Sequence, residues 1–234
     1  MKKISHSHNN HTFDYTIRHT ADQSIWNEIF VYHEYRSVYD IVAYAKNPII
    51  DIGAHVGYFT LLCRGLNDTA PIYAIEPSPE NNDLLEQHIR ENKLTNITQI
   101  RSALFALSGS QHLSLDPDGV WNKIVEKNGP TTVSVPTITL QDVCAQYGIE
   151  KISLLKLDIE WSEYKILMHM PSTMWSCIEH IFLEYHTDPA QEYANHEYLS
   201  NLMREHGFSV EHFPSKFDKK LGFLLARNKR MKKI

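Results

Sequence analysis

The stretch Pro48-Ile49-Ile50-Asp51-Ile52-Gly53-Ala54-His55-Val56-Gly57 decides how the rest of the chain is read. A short apolar run stops at a glycine loop, and a helical pattern then runs from Tyr58 to about Arg64. This reads as a buried strand, a tight turn and a helix. The alternation repeats downstream. Ile72 to Ile75 is a second buried strand that stops at Glu76-Pro77. Pro79 suits the first turn of a helix running to about Asn92, and Ile97 to Ser102 is a third strand. Apolar strands alternating with helices indicate an α/β fold, a parallel sheet covered on both faces with right-handed crossovers.

Upstream, Ile25, Trp26, Ile29, Phe30, Tyr35, Val38, Tyr39 and Val42 fall at helical spacing, so Ser24 to Lys46 is expected to form one or two helices ending near Asn47-Pro48. Met1 to Thr12 reads as a loose polar tail. His6, His8 and His11 could touch a metal there, but a flexible tail is the preferred reading. Downstream, Asp118-Gly119 and Asn128-Gly129 are turn dipeptides, which makes Gln111 to Val135 a small antiparallel meander. Thr139 to Tyr147 should be a helix capped by Thr139 and ended by Gly148. Ser153 to Asp158 is the next strand, Trp161 to Met170 a helix, Ile178 to Tyr185 a strand and Ala190 to His206 a helix. Phe208 to Phe213 and Leu221 to Arg227 pair as a hairpin before the basic tail Asn228 to Ile234. The expected organisation is a tail and helical cap over 1–46 and a sheet domain over 47–234, with an insertion at about 111–135.

Composition narrows the function classes. With 234 residues, 42% hydrophobic and 22% charged, the chain is long enough for one full core and is not wholesale disordered. Lys+Arg 23 against Asp+Glu 28 gives a net charge of −5, which argues against a nucleic-acid partner. The 14 His would shrink that charge as pH falls. No run reaches the roughly 18 apolar residues of a membrane span, so no membrane partner is expected. The first residues lack the apolar core of a signal peptide. Cys63, Cys144 and Cys177 are widely spaced and odd in number, which fits a reducing, cytoplasmic setting.

In an open α/β sheet, ligands bind at the carboxyl ends of the strands. Those ends carry Asp51 and the glycine loop, then Glu76, then Ser102 and Ala103, then Asp158 and Glu160, then Glu184 and His186. Charge is costly in a buried sheet unless it is paired or bound, so this clustering points to a cleft. Gly53 and Gly57 would let the backbone pass close to a ligand, and Glu76 stands where a carboxylate meets ribose hydroxyls in a nucleotide-binding unit. His55 occupies the middle of the loop, so the Gly-x-Gly dinucleotide pattern is absent, and no Gly-Lys-Ser/Thr marks a P-loop. A loop without a pyrophosphate cradle, followed by a ribose acid, fits a nucleoside cofactor without phosphates, of which S-adenosylmethionine is the common one.

The ordered motifs Asp51-Ile-Gly-Ala-His-Val-Gly-Tyr-Phe-Thr, Ile75-Glu-Pro-Ser-Pro, Ser102-Ala-Leu-Phe-Ala-Leu-Ser-Gly, Thr139-Leu-Gln-Asp, Leu154-Leu-Lys-Leu-Asp-Ile-Glu-Trp-Ser-Glu and Leu183-Glu-Tyr-His resemble the FkbM family of S-adenosylmethionine-dependent methyltransferases over roughly residues 26 to 227. The resemblance implies a Rossmann-like class I methyltransferase fold and an O-methyltransferase acting on a small molecule or glycan. By the same resemblance Asp51, Gly53, Ala54, His55 and Gly57 would line the methionine end of the cofactor, and Glu76 would bind the ribose. Pro77, Ser102 and Ala103 would flank the adenine, and Asp158 would sit beside the amino group or the reacting centre. The family usually has Asn at the place of His55 and Gly at the place of Trp161, whose bulk could narrow the acceptor site or cover the cofactor.

An alcohol acceptor must lose its proton, and Asp158, Glu160, Glu184 or His186 could take it. The same four are acceptable ligands for a divalent metal, a less favoured reading because no ligand spacing is diagnostic. The cap helices are expected over the cofactor end, where Tyr32, Tyr35 and Tyr39 could stack on an acceptor, and the meander could form another wall. A cofactor-binding domain without turnover and a nicotinamide-dependent oxidoreductase are the competing function classes. The acceptor's identity and the oligomeric state are open at this point.

Overall fold

The structure is a computed structural model that describes residues 1–116, 122–125, 129–187, 194–215 and 220–231. It opens with β1 (Lys2–His8), β2 (His11–Ile17) and α1 (Thr20–Phe30), followed by a 3-10 turn at Glu34–Val38 and α2 (Tyr39–Ala43). The sheet domain begins with β3 (Ile49–Ile52), α3 (Tyr58–Leu66), β4 (Ile72–Ile75), α4 (Pro79–Glu91) and β5 (Ile97–Ile100). An insertion follows, made of β6 (Ala103–Leu104), β7 (Gly109–Ser114), β8 (Lys123–Val125) and β9 (Thr132–Ile138). The domain then resumes with α5 (Leu140–Tyr147), β10 (Leu154–Leu157), α6 (Glu163–His169), α7 (Ser172–Cys177), β11 (His180–His186), α8 (His196–Glu205), β12 (Phe208–Pro214) and β13 (Leu221–Asn228).

Seven strands form the main sheet in the order β12-β13-β11-β10-β3-β4-β5, parallel from β11 to β5, with β13 and β12 antiparallel. Period-two alternation sends Ile50, Ile52, Leu155 and Leu157 into one core and Ile49, Leu154 and Ile72 into another on the opposite face. Every residue of β3 and β10 is buried, as strands covered on both faces require. Local chemistry sets the helix ends: Thr139 Oγ1 accepts from the Asp142 amide at 3.0 Å, and Gly148 ends α5 at φ 64°. The expected meander is present, with β7 antiparallel to both β8 and β9 and with β6 added parallel to β9. The dipeptide Asp118-Gly119, Asn128, the first residues of the helix expected from Ala190, and 232–234 lie outside the described residues.

Two expectations are corrected. The first dozen residues are not a loose tail but the β1–β2 hairpin, whose inner face carries His6, His8, Phe13 and Tyr15. His6 packs 5.4 Å from the Trp26 ring and 4.9 Å from Phe30, and His8 packs 5.5 Å from Tyr39. These histidines act as half-buried aromatics, so the strand alternation is hidden when they are scored as polar. His11 is instead paired with Asp68 at 2.8 Å. The helix expected from Trp161 starts at Glu163, because Glu160 and Trp161 take φ 24° and 69°, a left-handed turn that a helix cannot include. Among the described residues no helix is long and apolar enough to cross a membrane.

Candidate active site

A cavity of about 710 Å³ opens at the carboxyl ends of β3, β4, β10 and β11, within the range that encloses a nucleoside-sized ligand. The cap closes one side through Ser24, Ile25 and Glu28 of α1 and through Tyr35, and the insertion contributes Leu113, Lys123 and Ile124. Of the residues singled out in the sequence, Gly53, Ala54, His55, Glu76 and Pro77 line it, as do Ala103, Asp158, Glu160 and Glu184. Asp51, Gly57, Ser102 and His186 are not on its wall.

The loop after β3 is shaped by backbone crowding. A Cβ on Gly53 would stand 1.8 Å from the Asp158 carbonyl oxygen, and φ is 72° there. Gly57, at φ 90°, serves packing instead: a Cβ would stand 2.3 Å from Leu85 Cδ1, where α3 approaches α4. His55 takes φ 51°, a conformation Asn tolerates better than most residues. Its ring lies near Arg18 Nη2 (3.5 Å) and Asp22 Oδ1 (3.6 Å). Burial pulls the imidazole down to about 4, against the pull of Asp22. A folded pKa below the unfolded value of about 6.5 gives stability that is present above pH 6.5 and is lost as pH falls toward 4. His55→Asn should therefore flatten the acid limb of a plot of melting temperature against pH over that window. An unchanged limb would contradict a neutral, buried His55.

Glu76, 4% exposed, ends β4. Its Oε2 accepts from the His55 amide at 2.9 Å, and its Oε1 accepts from the Ser78 amide at 2.9 Å and from Asn81 Nδ2 at 3.3 Å. Burial raises its pKa against the pull of these donors. A carboxylate has about four acceptor positions, so one direction on Oε2 remains for a cavity ligand.

β10 brings a lysine that sequence reasoning did not single out. Lys156 stands opposite Asp51 in the β3–β10 register and is 3% exposed. Its Nζ lies 2.9 Å from the Gly53 carbonyl, 3.1 Å from Asp51 Oδ1 and 3.4 Å from Asp158 Oδ2. Burial pulls this ammonium down, but the two carboxylates outweigh it and the pKa is raised. Asp51, fully buried, also accepts from Thr60 Oγ1 at 2.7 Å. The cap adds Tyr35, whose hydroxyl donates to Asp158 Oδ2 at 3.2 Å. Asp158 and Glu184 share a hydrogen bond across the ends of β10 and β11. Burial and the Asp158 charge push Glu184 well up, while at Asp158 burial is overcome only by the Lys156 ammonium, the Glu184 and Tyr35 hydrogen bonds and His186 together, which hold it down. These opposite shifts favour the proton on Glu184 and the charge on Asp158.

His186 sits behind this pair, 3% exposed. Its Nε2 lies 3.3 Å from Glu160 Oε2 and its Nδ1 3.2 Å from Glu163 Oε1. Burial opposes the charged ring, but these two carboxylates raise it to about 11. An imidazolium already holding its proton and set off the cavity wall is poorly placed to take another. Trp161 is 39% exposed, its ring 5.5 Å from the His186 ring and off the cavity wall. It neither narrows the cavity nor joins the core, because the left-handed turn throws it outward. At φ 69° a Cβ is strained, so Trp161→Gly should be more stable than Trp161→Ala by about 1 kcal/mol in urea denaturation, the reverse of the usual order. Among the described residues, no group of three or more His, Cys, Asp or Glu side chains is arranged to hold a metal.

The fold is that of class I methyltransferases. The structure is similar to that of methyltransferase FkbM from Methylobacillus flagellatus, with a TM-score of 0.55 and 15% identity, over 76% of this chain and 43% of that one. It is also similar to SMU.1697c from Streptococcus mutans in complex with SAH, with a TM-score of 0.52 and 9% identity, over 83% and 97% of the two chains. In sequence it is similar to methyltransferase sdnD of Sordaria araneosa, 28% identical over 203 residues that cover 73% of this chain and 77% of that protein. It is likewise similar to the 31-O-demethyl-FK506 methyltransferase FkbM of Streptomyces tacrolimicus, 25% identical over 192 residues, 69% and 72% of the two. The profile of the methyltransferase FkbM domain matches residues 51–210, and the chain belongs to that family.

Proposed function

We propose that this methyltransferase moves a methyl group from S-adenosylmethionine to a hydroxyl of a small molecule or glycan. The observation that carries the reading is the Asp158 carboxylate, hydrogen-bonded by Tyr35 at 3.2 Å and 3.4 Å from the Lys156 ammonium, in the same cavity as Glu76. The residues present fit the cofactor. Gly53 and Ala54 bring bare main chain to the cavity wall, and Glu76 keeps an acceptor direction toward the cavity. The printed name of the Streptomyces tacrolimicus relative specifies an O-demethylated substrate, which supports an oxygen acceptor.

When bound, the cofactor supplies a methyl group already activated on a sulfonium, so the protein's main tasks are alignment and removal of the acceptor's proton. Glu76 accepts from the ribose hydroxyls. Asp158, fixed at Oδ2 by Lys156 and Tyr35, accepts the acceptor's hydroxyl proton. Glu184, protonated, holds Asp158 and keeps a second negative charge out of the cleft. The cap helix and the insertion exclude water.

Calorimetry with S-adenosylhomocysteine tests the reading. The unaltered chain should release heat on binding, and Glu76→Ala should weaken affinity by about tenfold or more, the value of one or two hydrogen bonds. No heat from well-folded protein would remove the cofactor assignment.

A further inference from the structure

We infer that Arg18 is a positioning residue for the cofactor site: it orients the ribose-binding carboxylate Glu76 through the side-chain amide of Asn81. The inference rests on the cofactor reading above. Arg18 lies between β2 and α1, ahead of residues 51–210 that the family profile matches. It does not line the cavity. Its Nε and Nη2 form a fork on Asp22, each at 2.9 Å, and Asp22 is fully buried. Burial pushes that carboxyl up, but the bonds from Arg18 overcome it and hold it down, so the pair is charged on both sides. The Arg18 amide donates to Asp22 as well, at 2.9 Å, which locks the backbone at the start of α1.

The second hydrogen of Nη2 points at the site. Nη2 donates to Asn81 Oδ1 at 2.8 Å, and Asn81 Nδ2 donates to Glu76 Oε1 at 3.3 Å. Asn81 is 2% exposed. A side-chain amide has one accepting end and one donating end. With a guanidinium on one side and a carboxylate on the other, a single orientation satisfies both. Turned over, the amide would set NH2 against the guanidinium and its oxygen against Glu76. The Ser78 amide already donates to Oε1; Arg18 fixes the Asn81 amide as the second donor there, which completes the set that holds the carboxylate plane with Oε2 facing the ligand beside the His55 amide. The same guanidinium seats α1, whose Ser24 and Ile25 wall the cavity. Grip on the ribose and seating of the cap are thus linked, and linkage is reciprocal.

A thermodynamic cycle tests this. S-adenosylhomocysteine and its 2′-deoxyribose analogue are titrated by calorimetry into the unaltered chain and into Arg18→Met/Asp22→Asn, a pair chosen so that no buried carboxylate is stranded. The unaltered chain should prefer the 2′-hydroxyl by about tenfold, and the double variant by less than about threefold. If Arg18 only stabilises the fold, both ligands weaken by one common factor and the preference stays at tenfold, which overturns the inference. If the unaltered chain binds neither compound, the cofactor reading itself fails. Hydrogen exchange on the unaltered chain gives a readout that needs no variant to fold. Saturating S-adenosylhomocysteine should slow exchange over residues 18–30 more than the saturating deoxy analogue does, and equal protection overturns the linkage.

Discussion

Lys156→Met is expected to lower stability by about 3–5 kcal/mol in urea denaturation, because it leaves a buried carboxylate without its cation. Asp51 is fully buried in the middle strand pair, and apart from Lys156 its side chain has the Thr60 hydroxyl. Methionine fills the volume of the lysine stem, so packing loss is small and the effect isolates the charge. The desolvation that Asp51 tolerates beside an ammonium becomes uncompensated. Adding Asp51→Leu removes the fully buried carboxylate as well, and such replacements are often neutral, so the double variant should regain much of the loss at pH 7, the remainder being the lost Lys156 contact to the partly exposed Asp158. A single variant as stable as the unaltered chain at pH 7 would show that the pair contributes nothing.

The sheet was legible because apolar runs and loop residues carry it. Ile49–Ile52, Ile72–Ile75 and Leu154–Leu157 read as strands, and their carboxyl ends point to Gly53, Glu76 and Asp158 on topology alone. Lys156 was hidden for the opposite reason. It is a charge inside an apolar strand, and its partner Asp51 is distant in sequence, brought opposite it only when β10 docks beside β3. A buried lysine without a neighbour in sequence is nevertheless a signal in itself, since burial demands a counter-charge somewhere. Gly57 looked like a ligand-binding glycine because its spacing cannot distinguish a ligand from the Leu85 side chain that occupies the same space. His186 stands at the expected strand end, yet its chemistry is set by Glu160 and by Glu163 of α6, which hold its ring behind the cleft. Arg18 lay in a stretch whose half-buried histidines concealed a strand.

Asp158→Asn should lower kcat by about 10²–10⁴-fold, the usual contribution of a positioned base, with S-adenosylhomocysteine affinity changed by less than about tenfold. The asparagine keeps the shape and still accepts from Tyr35 and Lys156, but it cannot take a proton. Loss of cofactor affinity with kcat retained would instead assign Asp158 to the methionine amino group. Glu184→Gln is the control. Its amide still donates to Asp158, as the protonated Glu184 does, so kcat should fall by less than about tenfold. Tyr35→Phe separates charge from shape. The hydroxyl at 3.2 Å is one of the donors that hold Asp158 down, and its removal raises that pKa. Because the ionised form is the active one, rate is lost as pH falls through the pKa of Asp158. The acid limb of the pH–rate profile must then shift to higher pH in Tyr35→Phe while the plateau at alkaline pH stays close to that of the unaltered enzyme. A limb that does not move would mean that another group governs proton removal.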